Sequence, residues 1–342
     1  MVCLHYNYHL LNKFSIILPV RNGSNYIKEC VNSIFSQTYH GFNLIVLDNA
    51  STDGTLQWLQ TLQDERMIIY SSAEPLSIEK NWARITAVSK NEFITLIGHD
   101  DILHPHYLEE MDRLIAKHPD ASLYQAHYSF INAEGNFTGY CMPMDEIQYG
   151  HEFLACQMAR TMDSMGTGYM MRSKDYDELG GIPTDYPNLI FADYQLWVQL
   201  SLKNYKATTD KVCFSYRVHD SVSRLTNGEQ YQIAFEKYVY FMVGISKENE
   251  KVKNVVERYG HQMLLYFCES LSHRLLKTPV GKRNMRVKEF INKCRQLASI
   301  LIPGQEFNPL SKFRINIAKK LDSNIFSRLA FTSYIKFIRQ KR

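Results

Sequence analysis

The first half of the chain repeats one pattern: a short apolar run, a polar turn, and a segment with apolar residues at helical spacing. The run at residues 14–19 is followed by the turn 21–25 and the first such segment. The run at residues 42–47 is followed by polar residues 48–55 and the second segment. Parallel strands are joined by crossovers that usually contain a helix. The pattern therefore predicts a Rossmann-like, mostly parallel central sheet with helices on both faces.

A third apolar run lies in the segment FITLIGHDDILHP, residues 93–105, and ends in two adjacent carboxylates. If this run is a buried strand, Asp100 and Asp101 lie at the carboxyl edge of the sheet, where open α/β sheets bind ligands. Alternatively, Asp100 caps a helix that starts near Pro105. This segment alone leaves both interpretations open.

The ends of three predicted strands, at Pro19, Asp48 and Asp100, are expected on one edge of the sheet, and we predict that this edge binds a nucleotide. This half of the chain contains neither GxGxxG nor GxxxxGK(S/T). The absence of both motifs disfavours a dehydrogenase-type dinucleotide fold and a P-loop NTPase.

Cysteine usage and hydropathy predict the compartment. The seven cysteines are scattered and never in CxxC spacing, which favours a reducing environment over a disulfide framework or a zinc site. No window approaches the roughly 18 apolar residues of a membrane span, and the N-terminus lacks a signal-peptide pattern. We expect a cytoplasmic protein.

The positive charge of the chain is concentrated near its end. Residues 312–342 contain nine Lys or Arg and one acid, a net charge of +8, whereas the whole chain carries +4. Apolar residues alternate with these cations, as in an interfacial amphipathic segment that binds anionic lipid. A packed helix with a solvated basic face is the other interpretation. Nothing else in the sequence indicates nucleic-acid binding.

Five segments occur in a recognisable order: SIILPVRNGSNYIKECVNSIFSQTY, LIVLDNASTDGT, LIGHDDILHP, FADYQLW and YRVHDSVS. Together they resemble the inverting glycosyltransferases of family 2, which have the GT-A fold, over about residues 13–225. The resemblance implies an N-terminal extension at 1–12 and a GT-A domain at 13–227. That domain would comprise a nucleotide-binding half, 13–131, and an acceptor half, 132–227. Residues 228–342 are predicted to form a C-terminal helical extension.

The resemblance also implies a divalent metal, Mn²⁺ or Mg²⁺, that bridges the donor diphosphate. Asp100 and Asp101 match the DxD-type element, and His219 matches a histidine near the metal; which of the two carboxylates binds the metal is left open. Gly98 and His99 replace the first two residues of the DSDD pattern that the family often has at this position.

Donor binding is implied for residues at the ends of the first two strands and for one basic residue on a helix. These residues are Pro19, Val20, Arg21, Asn22, Asp48, Asn49 and Arg84. Relatives commonly have a second acid where this chain has Asn49. An amide both donates and accepts hydrogen bonds, so a UDP-sugar is still expected.

Asp193 matches the catalytic Asp of the family's ED motif, with Ala192 in place of the Glu. By this match it is the base that takes a proton from the attacking hydroxyl. From the residues alone, Asp193 could instead be a carboxylate that pairs with the N-terminal end of a helix.

The expected function is metal-dependent inverting transfer of a sugar to a hydroxyl of a glycan or lipid-linked saccharide. Its expected setting is bacterial-type surface polysaccharide assembly, and a peripheral location at the inner face of the plasma membrane is left open. One alternative is a degenerate GT-A domain that binds nucleotide sugar without transfer. Another, a nucleotidylyltransferase, is disfavoured because its Gly-rich loop is missing.

Overall fold

The computed structural model describes residues 12–23, 26–219, 228–278 and 285–340, with side chains in the last range up to Tyr334. Most of the predicted N-terminal extension lies outside these ranges. The chain forms two compact units. The first comprises Met1–Gly150, Met162–Ile182 and Leu196–His219, and the second comprises His151–Thr161, Pro183–Gln195 and Asp220–Arg342.

The first half of the chain alternates strands and helices, as the apolar pattern predicts. In chain order these are β1 (Phe14–Val20), α1 (Ile27–Phe35), β2 (Phe42–Asp48), α2 (Thr55–Thr61), β3 (Met67–Ser71), α3 (Ile78–Ala83), β4 (Phe93–Leu96), β5 (Ile102–Leu103), α4 (Tyr107–Lys117) and β6 (Leu123–Ile131). A 3-10 turn, Arg84–Ala87, continues α3. The middle of the chain adds β7 (Phe137–Tyr140), β8 (Ile147–Tyr149), α5 (Gly150–Ala159), β9 (Tyr169–Arg172), α6 (Ser173–Glu178), α7 (Ala192–Lys203) and β10 (Tyr205–Arg217).

The strands form one sheet in the order β3-β2-β1-β4-β9-β6-β10-β5, with β7 paired to β6 and β8 to β10. β1, β2, β3 and β4 are parallel to one another, and β9 runs against both β4 and β6. β10 is parallel to β6. All seven residues of β1 are buried, as expected for a central parallel strand. The predicted Rossmann-like, mostly parallel sheet is confirmed.

Parallel pairing brings the carboxyl ends of several strands to one edge. Val20 at the end of β1 is paired with Asp48 at the end of β2, and Arg217 at the end of β10 is paired with Ile131. The helix after the two carboxylates begins at Tyr107, and its N-cap residue is His106. Asp100 therefore does not cap this helix, and that interpretation is wrong.

The C-terminal part of the chain is helical, as predicted. Its helices are α8 (Gly228–Glu248), α9 (Glu250–Lys277), α10 (Val287–Leu301), α11 (Phe313–Ser323) and α12 (Ile325–Gln340). In the described ranges, every helix is too short or too polar to cross a bilayer.

Candidate functional site

The turns after β1 and β2 are tied together by hydrogen bonds. Pro19 and Val20 are buried in β1, whereas Arg21 and Asn22 are exposed in the turn that follows. The Asn22 side-chain oxygen accepts from the Thr52 amide at 2.8 Å, and the Asn22 amide donates to Ser51 Oγ at 3.0 Å. Asn22 has a φ of 56°, a conformation that asparagine tolerates better than most residues. The turn after β1 is therefore fixed by hydrogen bonds to the turn after β2.

Asp48 is fully buried at the end of β2. Its Oδ2 accepts from the Ser51 amide at 3.3 Å, while its Oδ1 has no hydrogen-bond partner among the described residues. A buried acceptor without a partner is costly and usually indicates a missing donor. Asp48 thus offers one free, well-positioned acceptor at the sheet edge.

Asn49 and Arg84 brace the region around Asp48. The Asn49 amide nitrogen donates to the Leu76 carbonyl at 2.9 Å, and its oxygen accepts from the Leu76 amide at 2.7 Å. Arg84 donates to the carbonyls of Asp48, at 3.0 Å, and Tyr70, at 2.7 Å. Burial lowers the pKa of Arg84, and the nearby charge of Asp48 opposes this shift. Both side chains contact backbone that frames Asp48.

Asp100 and Asp101 have different surroundings. The Oδ2 atom of Asp100 lies 2.5 Å from Nε2 of His219, and both side chains are partly exposed. Asp101 is only 2% exposed. Its two oxygens accept from the Arg217 amide at 3.0 Å and from the Thr167 hydroxyl at 2.8 Å. Burial, and then the charge of Asp100, raise the pKa of Asp101 well above its usual value.

Gly98 leaves room for the observed position of Asp100. A Cβ atom on Gly98 would lie 2.5 Å from Asp100 Oδ1 and 3.2 Å from Asp101 Oδ2. Any larger residue at position 98, including the acid of the family pattern, requires Asp100 to move. The absence of a side chain at position 98 therefore permits the observed position of the Asp100 carboxylate.

Arg217 connects the elements that carry these groups. Its side chain is only 1% exposed, and its Nη2 atom lies 2.5 Å from Glu29 Oε2 on α1. Its Nε atom donates to the Asp100 carbonyl at 2.8 Å. Its guanidinium also lies over the Tyr26 ring, 4.6 Å from the ring centroid. Arg217 thereby joins α1, the end of β10 and the loop after β4.

Asp193 lies in the second unit, in the first turn of α7. Burial raises the pKa of its carboxyl to about 6, and the nearby backbone N–H groups of Tyr194 and Asp193 oppose the shift. Both interpretations of Asp193 are thus compatible with its position, because a helix-end carboxylate with a raised pKa is also suited to accept a proton.

The sequence model of glycosyl transferase family 2 matches residues 15–180. This segment, just under half of the chain, is therefore similar to glycosyl transferase family 2. An uncharacterized glycosyltransferase of Rickettsia conorii is 27% identical over 197 residues, which are 56% of this chain and 32% of that protein. Glycosyltransferase GlyG of Streptococcus pneumoniae is 26% identical over 133 residues, 38% of this chain and 44% of the relative. The chain thus spans less than half of these two relatives.

The crystal structure of residues 1–349 of S. aureus TarS in complex with UDP-GlcNAc has a similar fold. Its TM-score is 0.68 at 14% sequence identity, and the match covers 95% of this chain and 91% of that one. The likeness confirms the predicted GT-A fold.

The oxygen and nitrogen atoms of Asp100 and His219 are of the types that bind a divalent cation. In the described ranges, no three His, Cys, Asp or Glu side chains converge as a complete metal cage. Asp100 Oδ2 and His219 Nε2 nevertheless lie next to each other, 2.5 Å apart, and a cation bound by both would replace their mutual contact. Mg²⁺-type sites in phosphate-transferring proteins typically use one or two protein ligands together with phosphate oxygens. The residues therefore fit a cation that a diphosphate helps to bind.

The sequence reasoning missed Arg217, Thr167 and Glu29. Arg217 lies two residues before His219, and its hydrogen bonds reach residues more than 80 positions away in the chain. The only available signal was a charged residue near the end of a predicted buried strand, which is unusual without a partner. The partners themselves could not be read from the sequence.

The last residues of the YRVHDSVS segment, 220–223, lie outside the described ranges.

Proposed function

We propose that this protein is a metal-dependent inverting glycosyltransferase that takes a sugar from a UDP-sugar. The observation that carries the proposal is the group of polar side chains after β2, after β4 and after β10. Among them, Asp48 keeps an unpartnered buried oxygen, and Asp100 contacts His219. A nucleoside diphosphate needs both features: an acceptor for a base N–H and ligands for a cation on the phosphates.

For the base, we assign recognition to Asp48. Uracil carries an N–H donor between two carbonyls, whereas cytosine has an acceptor at the same ring position. A carboxylate oxygen without an internal partner favours the donor. Asn49 and Arg84 then act as positioning residues, because their described hydrogen bonds go to Leu76, Asp48, Tyr70 and Asn81. The turn formed by Pro19, Val20, Arg21 and Asn22 would border the nucleoside.

For the diphosphate, we assign the cation to Asp100 and His219. A bound Mn²⁺ or Mg²⁺ would offset the negative charge that develops on the departing diphosphate. Asp101, next to Asp100 in the chain, fixes the loop after β4 to Thr167 and to the end of β10 through its two internal hydrogen bonds. Asp100 is thus proposed as the metal ligand and Asp101 as the positioning residue, whereas the sequence left open which of the two binds the metal.

For the attacking hydroxyl, we assign proton removal to Asp193. A base is active when it is deprotonated, and with a pKa of about 6 half of Asp193 is in that form near pH 6. Inversion follows if one displacement occurs with the hydroxyl and the nucleotide on opposite faces of the sugar. The proposed acceptor is a glycan or lipid-linked saccharide, as in bacterial-type surface polysaccharide assembly.

The test is a panel of nucleotide sugars and saccharide acceptors, scored by nucleotide release with Mn²⁺ and with EDTA. We expect release from a UDP-sugar that depends on Mn²⁺ and on an acceptor. Asp193→Asn should lower the rate about 10²- to 10⁴-fold, the usual contribution of a general base. Near-normal transfer by this variant would exclude Asp193 as the base.

Binding of nucleotide sugar without transfer is the second candidate. It is favoured by Gly98, Asn49 and Ala192, each of which departs from the family pattern. Saturable UDP-sugar binding by calorimetry, with no nucleotide release across the whole acceptor panel, would support it over the enzyme.

We further propose that the basic segment 312–342 binds anionic membrane at the cytoplasmic face. Phe326 and Leu329 on α12 are 77% and 57% exposed, and exposed Lys320 lies at the end of α11. Such a combination binds anionic lipid through apolar insertion and charge. Phe326→Ser with Leu329→Ser should reduce co-sedimentation with phosphatidylglycerol-containing vesicles at low salt. Unchanged sedimentation would contradict this role.

A further inference from the structure

The backbone immediately before Asp193 is strained. Asn188, Leu189 and Phe191 have φ values of 52°, 56° and 66°. Left-handed backbone costs energy in residues with a Cβ atom, most of all in bulky ones. Such conformations persist only where surrounding contacts impose them, and they cluster at functional sites. Some part of the second unit must therefore hold this segment.

The ring of Phe191 supplies the anchor. It stacks on Tyr238 of α8, with centroids 5.4 Å apart and an interplanar angle of 8°. It also meets Phe267 of α9 edge-on at 5.1 Å and lies 5.9 Å from Phe235. Phe191 is only 6% exposed. Aromatic pairs of this geometry stabilise beyond the area that they bury, so the two helices hold Phe191 in a defined position.

A second contact closes the segment on the other side of Asp193. The Tyr186 hydroxyl donates to Gln195 Oε1 at 2.6 Å, which links the start of the strained segment to the first turn of α7. The ring of Tyr194 meets that of Tyr238 edge-on at 5.8 Å. Asp193 thus lies between Phe191, which stacks on Tyr238, and Gln195, which accepts a hydrogen bond from Tyr186.

We propose that Phe191, held by Tyr238 and Phe267, is a positioning residue for Asp193. The helices α8 and α9 are then part of the catalytic apparatus and not an appendage to it. The inference rests on the proposed function, in which Asp193 is the base.

The test compares Phe191→Leu with Phe290→Leu. Phe290 is a similarly buried aromatic residue of α10, so its substitution is a control for loss of packing in the same unit. We expect Phe191→Leu to lower kcat about 10- to 100-fold, since small displacements of a catalytic group are this costly. The donor KM should stay unchanged, and Phe290→Leu should change neither constant.

The pH profile provides a readout that loss of packing alone does not move. Activity rises with pH as Asp193 loses its proton, and water admitted by the cavity that Phe191→Leu creates would lower the raised pKa of Asp193. The acid limb of kcat should therefore shift to lower pH in Phe191→Leu. Among the described residues, the phenols of Tyr186 and Tyr238 interact with the charge of Asp193; burial raises their pKa values, so both stay neutral near pH 6.

A second pair of variants keeps the test decisive if Phe191→Leu does not fold. Tyr238→Phe retains the stacked ring and should lower kcat much less than Tyr238→Leu, which should reproduce the fall in kcat and the shifted limb. Equal kcat and pH profiles for Tyr238→Leu, Phe191→Leu and Phe290→Leu would overturn the inference. If Asp193→Asn itself transfers sugar normally, the assignment of Asp193 as the base fails, and if the wild type releases no nucleotide with any acceptor, the proposed function fails; both outcomes are distinct from a failure of the Phe191 inference.

Discussion

At the scale of single residues, two adjacent carboxylates have different environments. Asp100 is partly exposed and contacts His219, whereas Asp101 is buried and accepts two internal hydrogen bonds. A carboxylate that binds a cation together with a substrate needs an oxygen that can reach the substrate, as in Asp100. A carboxylate that positions its neighbours needs fixed hydrogen-bond partners, as in Asp101.

We therefore predict that Asp100→Asn affects the metal requirement of transfer and that Asp101→Asn affects stability. Asp100→Asn should raise the Mn²⁺ concentration for half-maximal transfer at least about tenfold, because a neutral amide is a weaker ligand for a hard cation. Asp101→Asn should leave that concentration nearly unchanged but reduce the free energy of unfolding by about 1–3 kcal/mol. Metal titration of the rate and chemical denaturation give the two measurements. A reversed pattern would assign the cation to Asp101.

Gly98 allows a second prediction at this scale. In Gly98→Ala the new methyl group would lie 2.5 Å from Asp100 Oδ1, so the Asp100 carboxylate must shift, and we expect its contact with His219 to be disturbed. We expect the metal requirement of transfer to rise, while thermal stability changes little. Gly139→Ala is the matched control, because its Cβ would meet no atom within 4 Å. The idea fails if both alanine variants titrate with Mn²⁺ like the wild type.

At the scale of elements, Arg217 joins chain segments that are distant in sequence. Its hydrogen bonds reach α1 through Glu29, the loop after β4 through the Asp100 carbonyl, and the turn after β6 through the Asn132 and Ala133 carbonyls. Its own backbone amide donates to Asp101. One buried guanidinium thereby sets the position of β10 relative to the carboxylates.

We predict that Arg217→Lys impairs transfer although it keeps the charge. An ammonium group lacks the planar array of donors that contacts several acceptors at once. The expected result is a fall in kcat of about tenfold or more and a lower melting temperature. Arg172→Lys is the control, since Arg172 pairs with Glu92 elsewhere on the sheet. If the two lysine variants lose stability equally and both retain kcat, Arg217 does not position the site.

At the scale of the whole molecule, neither compact unit is a continuous piece of chain. Segments His151–Thr161 and Pro183–Gln195 belong to the same unit as the C-terminal helices. Within that unit, Tyr238 contacts both Gln157 and Phe191. The domain boundary expected at 227/228 thus separates residues that pack together, and it stays a prediction.

We predict that deletion of residues 228–342 exposes these two segments. Hydrogen exchange at residues 151–159 and 186–195 should become fast, because their buried aromatic and amide partners are gone. A shorter deletion, from residue 324, keeps α8 to α10 and should preserve slow exchange there. Protection that survives the longer deletion would mean that residues 13–227 fold as an autonomous domain.

The sequence by itself determined the alternation of strands and helices in a mostly parallel sheet and the order of the motifs, but not the place of the antiparallel strand β9 between β4 and β6. Runs such as FSIILPV and FNLIVLD are apolar almost throughout, and a strand buried on both faces satisfies such a run. Parallel crossovers then bring Val20, Asp48 and the segment after β4 to one edge. The resemblance to family 2 identified candidate residues on that edge, including Asp100 and His219.

Only the tertiary structure decided how those candidates differ. Whether a carboxylate is free or already hydrogen-bonded depends on partners far away in the chain: Thr167 and Arg217 for Asp101, and Leu76 for Asn49. The anchoring of Phe191 by α8 and α9 likewise has no local signal, because nothing in FADYQLW specifies the rings that meet it. Local patterns encode strands and helices through periodicity. The state of each polar side chain depends on long-range contacts, which periodicity does not encode.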